Sequence, residues 1–298
     1  MLLTFVAGLA LVAAQQIDTT IAAERGQRLQ VNAFGGEVTV RAWNRNNVRV
    51  EGTSSDGPRI EVSASATSVS VRTEGRHGRS GEVNLRISAP AWMAVNISGV
   101  NTTAKVEGVQ APISIETVEG EIDVTGGNGL ISLRSVQGSV ALRGAKGRIS
   151  VNSVNEDVRV ANSSGEIMAE TVNGEISLEG VNAPTVDANT VNGDITYAGP
   201  IVNSGRYSLS THNGDILLTV PDGASANVAV STFNGEFESE FPVPISGTRK
   251  GKGFNFVLGS GSAQVTLESF QGTIQLVRPG GRAERERRER HQDDDDHD

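Results

Sequence analysis

One six-residue phrase recurs through the last two thirds of the chain: Ser or Thr, any residue, an amide or Glu, Gly, any residue, then Ile, Val or Phe. It reads "TVNGEISL" at 171–178, "TVNGDITY" at 190–197, "THNGDILL" at 211–218 and "STFNGEFE" at 231–238. Copies start at Thr117, Ser135, Ser153, Thr171, Thr190, Thr211, Thr232 and Ser269, in steps of 18, 18, 18, 19, 21, 21 and 37 residues. A period near 20 marks a repeat architecture, in which each unit buries its apolar face against the next. The last step spans about two periods and predicts a disguised or looped-out copy inside it.

Each period holds a second, weaker turn about halfway, as in "GGNGLISL" at 126–133, "AKGRISV" at 145–151, "NSSGEIM" at 162–168 and "NSGRYSL" at 203–209. Between turns the residues alternate, with Ile113 and Ile115 set against Ser114 and Glu116, and Ile149 and Val151 against Ser150 and Asn152. Period-two alternation is the pattern of strands. Two short strands per repeat build either antiparallel hairpins or coils of a solenoid. Coils stack equivalent positions about 4.8 Å apart and favour like-with-like columns. The third position of the phrase reads Glu119, Gln137, Asn155, Asn173, Asn192, Asn213, Asn234, Gln271, which is such a column. The prediction is an all-β parallel β-solenoid of about 18–21 residues per coil, with two short strands in each.

In this reading the phrase turns a corner at the same height in every coil. Gly120, Gly138, Gly174, Gly193, Gly214, Gly235 and Gly272 supply the positive φ that corners often require. Asn173, Asn192, Asn213 and Asn234 tolerate the left-handed region and stack their amides. The apolar residue two positions after each glycine points inward. From Gly36 to Ile274 the rod would be roughly 60 Å long.

Composition agrees with this picture. Glycine is abundant at 35 residues, with no G-X-Y period, aromatic residues are scarce, and no helical apolar stripe exceeds about two turns between Ile17 and Gly281. The net charge is −9, of which the tail from Arg282 to Asp298 carries −3 (five Arg against eight acids), so no basic face exists for nucleic acid. Without cysteine there is no disulfide, thiolate metal site or cysteine nucleophile.

"MLLTFVAGLALVAAQQ" is an apolar run ending in small residues, as in a secretory signal; it is short for a membrane span and lacks the usual basic start. Residues 1–16 therefore read as a signal peptide, cut after Ala14, or as an N-terminal anchor, with no membrane span beyond them. Residues 17–112 carry only a faint phrase, "AFGGEVTVRAW" at 33–43. They read as irregular early coils capping the solenoid, with a separate small β domain as the alternative. Regular repeats fill 113–281, and 282–298 is a charged, disordered tail. An echo links "SAPAWMAVNIS" at 88–98 with "VPDGASANVAVS" at 220–231, each a Pro, a small-residue stretch and then alternation.

The "TVNGEI" and "TVNGDI" phrases and the opening "GEVTVRAW" resemble the family of putative adhesins with β-strand repeats, a bacterial domain of unknown function also called the toast-rack domain. The resemblance covers about 29–277. It implies a parallel β-solenoid of envelope proteins, some linked to envelope stress, and no catalytic residues.

Candidate chemistry is sparse. The fifth position of the phrase is mostly acidic, as Glu121, Asp157, Glu175, Asp194, Asp215 and Glu236, and such a column either holds a cation or serves as solvated corner charge. His212 stands where other copies have Val or Phe, as a core or rim histidine. Trp43, Trp92, Tyr197 and Tyr207 are the aromatic residues available as sugar platforms, and the two Trp fit better as end caps. Paired carboxylates on long loops, a G-x-S-x-G elbow and a phosphate cradle are all missing from the pattern. The expected function is therefore a non-enzymatic, exported rigid interaction surface of the bacterial cell envelope, that of an adhesin, periplasmic or at the cell surface, without cofactor. Its partner is an envelope protein or an extracellular ligand. The alternatives are a periplasmic scaffold or envelope-stress partner and, more distantly, a polysaccharide-acting enzyme.

Overall fold

The computed structural model describes residues 15–54, 59–74, 82–243 and 253–281. The expected signal segment (1–14) and charged tail (282–298) lie outside them. At the N-terminal end stand β1 (Gln15–Ala22), β2 (Arg28–Trp43), β3 (Asn47–Ser54), β4 (Arg59–Ala64), β5 (Ser68–Glu74), β6 (Val83–Pro90) and β7 (Ala94–Val109). The regular section holds β8 (Ile113–Glu116), β9 (Ile122–Gly126), β10 (Asn128–Arg134), β11 (Val140–Arg143), β12 (Lys146–Asn152), β13 (Val158–Ala161), β14 (Ser164–Glu170), β15 (Ile176–Glu179), β16 (Asn182–Asn192), β17 (Ile195–Ala198), β18 (Arg206–Asn213) and β19 (Ile216–Thr219). The C-terminal end adds β20 (Ala226–Thr232), β21 (Phe237–Ser239), β22 (Phe254–Leu258), β23 (Ala263–Gln271) and β24 (Ile274–Val277).

These strands wind into a parallel β-solenoid of two facing layers. One layer runs β5, the first half of β2, the first half of β7, β8, β10, β12, β14, β16, β18, β23, β20. The other runs β6, the second halves of β2 and β7, β9, β11, β13, β15, β17, β19, β24, β21. Both layers thus hold eleven parallel levels, and the stack is about 50 Å long. It is shorter than the 60 Å read from the sequence because part of the chain caps the ends instead of adding coils.

The core is two sets of columns between the layers. Ile113, Ile131, Ile149 and Ile167 stack on one layer, facing Ile122, Val140, Val158 and Ile176 on the other, all buried. Burying such side chains contributes roughly 1.5–3 kcal/mol each. Alternation along each strand sends the polar partner outward, so period two within a coil becomes a dry column along the stack.

Departures from 18 residues are absorbed at the second corner. Two residues of β14, Ser164 and Glu166, pair with Asn182 and Thr185, which leaves one extra residue in the longer coil. The next step is longer because residues 199–205 wrap two tyrosine hydroxyls, described below. Among its described residues the 37-residue step adds no further parallel coil between β20–β21 and β23–β24. β22 runs antiparallel to β20 and covers the open edge of its layer, and the chain then returns as β23 and β24.

That return is out of order. β23 inserts between β18 and β20, and β24 between β19 and β21, so the last coil in sequence is next to last in space. The N-terminal end mirrors this, with β2 lying between β5–β6 on one side and β7 on the other. Antiparallel β4, and β3 with β1, cover that end. Arg49 donates Nε–H and Nη2–H to the two carboxylate oxygens of Asp18 at 2.9 and 2.8 Å, tying β1 to β3 and holding the Asp18 carboxyl below its ordinary range.

The echo at 88–98 and 220–231 marks the two places where the chain steps over a level. In both, a turn follows proline: Met93 N–H donates to the Pro90 carbonyl (2.9 Å) and Ala224 N–H to the Pro221 carbonyl (3.1 Å).

The first corner explains the phrase, with one correction. Gly174, Gly214 and Gly235 do not take the positive φ expected of them, and neither do the column asparagines. Glycine is required because a Cβ there would run into a carbonyl oxygen of the neighbouring coil: Thr102 for Gly120, Gly120 for Gly138, Gly174 for Gly193, Gly193 for Gly214. In seven of the eight copies the buried Ser or Thr that opens the phrase donates to the carbonyl at this place at 2.9–3.3 Å, from Thr117 through Ser135, Ser153, Thr171, Thr190 and Thr211 to Ser269. Glu156 takes the glycine place in one coil; backbone bridges join Glu119 to Gln137 and Asn173 to Asn192 but skip Asn155.

Gly214→Val is therefore expected to destabilise the fold by about 3 kcal/mol or more, as an overpacked contact with rigid backbone. Glu175→Ser, one coil position later in the phrase, should cost under about 1 kcal/mol. Urea unfolding midpoints of the two variants check this, and equal losses would refute the corner argument.

Candidate interaction surface

Outside the first corner, the second position of the phrase forms a column of its own. In spatial order it reads Phe34, Val100, Val118, Val136, Val154, Val172, Val191, His212, Phe270, Phe233, as the strand register dictates. Eleven large apolar side chains are exposed among the described residues, and eight of them belong to this column, from Phe34 at 61% through Val191 at 43% to Phe233 at 56%. A contiguous exposed apolar stripe of this kind marks a contact surface more often than it occurs by accident. His212 is thus an exposed rim residue. It stacks on Phe270 with ring centroids 4.6 Å apart, and Phe270 stacks on Phe233 at 4.9 Å.

Beside the stripe runs the amide ladder. Asn173 donates Nδ2–H to Asn155 Oδ1 at 3.1 Å, Asn192 to Asn173 at 2.8 Å and Asn213 to Asn192 at 2.8 Å. These bonds orient the four amides from Asn155 to Asn213 along the rod, and all four residues are exposed.

The acidic column lies on the other side of the corner glycines. Asp157 Oδ1 accepts from the backbone N–H of Glu175 (2.8 Å) and its Oδ2 pairs with Arg159 (3.0 Å). Asp194 accepts from the N–H of Asp215 (2.8 Å), and Asp215 from the N–H of Thr273 (2.7 Å). Glu121 and Glu236 are exposed. Each of these aspartates spends an oxygen on the backbone of the next coil. Among the described residues no group of three or more His, Asp or Glu is placed to hold a metal ion.

The tyrosines are removed from the list of platforms. Tyr197 and Tyr207 are fully buried and meet edge to face at 5.5 Å. Tyr207 donates to the Ala183 carbonyl (2.9 Å) and accepts from the Val202 N–H (2.8 Å), while Tyr197 donates to the Pro200 carbonyl (3.0 Å). Trp43 and Trp92 are half-buried at the N-terminal end. Trp43 Nε1–H bonds the Asn47 carbonyl at 2.8 Å, and the two rings carry Arg45 and Arg25 over their faces.

Depressions on the layers are open and internally paired. One of about 480 Å³ is lined by Asp18, Glu37, Glu51 and Arg86 among others. Its Asp18 and Glu51 both bind Arg49, at 2.8 and 3.0 Å. Among the described residues no helix is long and apolar enough to cross a membrane.

The architecture defines a β-solenoid whose most distinctive surface is one corner. The chain belongs to the Toastrack DUF4097 family, whose model matches residues 26–277. It is similar to solved structures of a putative adhesin from Parabacteroides merdae (11% identity, 88% of this chain and 96% of that one, TM-score 0.49) and of a putative adhesin from Parabacteroides distasonis (8%, 88% and 97%, 0.46). A putative lipid binding protein from Parabacteroides distasonis is a third (10%, 90% and 98%, 0.41). No curated protein matches the chain.

Burial pushes the Tyr197 phenol far above its ordinary value, helped by the neighbouring Tyr207, and burial likewise raises Tyr207 against the hydrogen bond from Val202. A folded pKa above the unfolded value of about 10 favours the neutral phenol, so this contribution is intact below that pH and is lost as pH climbs past it. In an alkaline titration, phenolate absorbance should therefore appear together with loss of the β circular dichroism signal. These are the chain's two tyrosines, so an earlier absorbance change would contradict the buried pair.

Proposed function

We propose that this protein is an exported, non-enzymatic β-solenoid that serves as a rigid interaction surface in the bacterial cell envelope. The observation that carries this reading is the exposed column from Phe34 to Phe233, which extends along nearly the whole stack. The apolar segment at the start of the sequence supports export. The open, self-paired depressions and the family support a surface without turnover.

A protein partner suits the geometry better than a glycan. The tyrosines that would stack on sugar rings are buried, and the exposed corner offers side chains at regular spacing instead. This favours a scaffold or stress-sensing partner within the envelope over an adhesin that binds carbohydrate.

Protease digestion of intact cells, repeated after opening the outer envelope, tests the location with the acidic C-terminal tail as reporter epitope. Loss of the epitope only after opening is the expected outcome. Loss in intact cells would place the rod outside and favour adhesion. Survival until the cytoplasm is released would overturn export.

A further inference from the structure

The corner column is too narrow to be an ordinary protein interface, and its borders carry mainly acidic charge. From Phe34 to Phe233 the ten side chains, one per level, span about 43 Å at the spacing of stacked coils. Across the eight phrase copies, from the residue before each Ser or Thr to the fifth position, the acids are Glu116, Glu119, Glu121, Glu156, Asp157, Glu170, Glu175, Asp194, Asp215, Glu236 and Glu268, against the single cation Arg134. The stripe thus has one mainly acidic margin, the fifth position, with six acids in eight copies, and one mixed margin that carries Glu116, Glu170 and Glu268 against Arg134 among neutral residues.

Three properties select what fits it. First, the backbone is spent: the carbonyls of Val100, Val118, Val136, Val154 and Val172 accept from the N–H of the amide column in the next coil, so a partner strand has nothing to pair with along this edge. Second, a strip of that length and of one helix width, about 11 Å, offers roughly 470 Å² per partner. That lies at the low end of specific interfaces, where transient complexes sit. Third, the margins repel a second copy of the same acidic edge and an anionic lipid surface, and attract a basic one.

We infer that this corner docks one amphipathic helix of a partner protein, with an apolar stripe flanked by lysine or arginine. This rests on the interaction-surface reading above and names its partner chemistry. A helix of about 29 residues spans the column in about eight turns of 5.4 Å, against ten side chains about 4.8 Å apart. The apolar stripe of such a helix recurs every three to four residues, so its side chains seat on and between successive levels and not in strict one-to-one register. At one end the flat stack of His212, Phe270 and Phe233 gives the helix a wider apolar seat than the valines do.

The test uses the full chain and a labelled synthetic 29-residue helix with leucines at three- and four-residue spacing and lysines on both flanks, read by fluorescence anisotropy. Three comparisons accompany it: the same peptide with glutamates in place of the lysines, Val118→Ser/Val154→Ser/Val172→Ser, and Glu116→Gln/Glu119→Gln/Glu121→Gln. All six positions except Val154 and Val172 lie in one coil, and all are exposed, so unchanged melting curves verify the fold. The expected result is binding of the lysine peptide, at least tenfold weaker for the valine variant, several-fold weaker for the glutamate variant, and absent for the acidic peptide.

Binding that survives loss of the valines, or equal binding of both peptides, overturns the proposal. So does failure of the lysine peptide to bind the unaltered chain. A dimer in sedimentation equilibrium that the valine variant abolishes would assign the corner to a second copy instead. None of these outcomes depends on where the protein resides, so a failure here is separable from a failure of the export test.

Discussion

The contact on which the rest of this structure depends is the approach of each corner glycine to a carbonyl one coil away, locked by the buried hydroxyl three residues earlier. At Gly193 the missing Cβ leaves room for the Gly174 carbonyl, and Thr190 donates to that same oxygen at 3.1 Å. One oxygen thereby sets both the distance and the register of two coils. Once these are set, every other column follows: isoleucines within, amides at the edge, carboxylates on the backbone N–H of the next coil. The second corner repeats the glycine approach, with Gly147 against the Gly129 carbonyl and Gly165 against that of Gly147, yet it is here that coil length varies, in the bulge beside Ser164 and the longer 199–205 segment.

The threading of the two ends answers a different problem. An open stack exposes unpaired strand edges at both ends, which are templates for unwanted pairing. Here the first and last parallel coils of the described sequence, β2 and β23–β24, are held inside the stack, with β5–β6 and β20–β21 outermost and antiparallel strands laid over β5, β6 and β20. Extracting β2 or β23–β24 would require breaking pairing on both sides. The cost is in folding: in a regular coil Ser153 reaches Gly138 across 15 residues, whereas Ser269 must find Gly214 across 55. The middle of the rod is thus the natural place for nucleation, with the end levels slotted in afterwards. Thr232 Oγ1, buried without a partner in the outermost coil, shows the hydroxyl lock running out where the stack stops.

Much of this was legible in the residues. The spacing of Thr117, Ser135, Ser153 and Thr171 already defines a coil, and the amides from Asn155 to Asn213 already define a ladder. The inward residues were readable too, because Ile122, Val140 and Ile176 alternate with polar neighbours in stretches long enough to show period two. The order of the end coils was hidden, since a phrase at Thr232 and another at Ser269 look alike whichever one stacks on Thr211. The role of glycine was only half visible. Its presence at the corner was plain, but sequence alone does not separate a need for positive φ from a need for no side chain.

The candidate site was hidden for a physical reason of its own. Inside a strand, polarity reports burial, because alternate residues face the core and the solvent. In these coils the alternation runs on through the buried Ser or Thr to the outward second position and lapses only at the third, so phase points Val118 outward while its apolar character argues for the core. Val118, Val154, Val172 and Val191 look like core residues, and His212 looks like an exception among them. In space the relation is reversed: the histidine is an ordinary member of an exposed line, and the valines are the anomaly, since a corner in water gains nothing from an apolar side chain beyond contact with the ones above and below. Polar residues would satisfy the turn equally well. That the chain instead places Val or Phe at this point in nine of ten coils, while lining one margin of the stripe with carboxylates, is a pattern that folding does not require. The partner helix proposed above would supply the requirement.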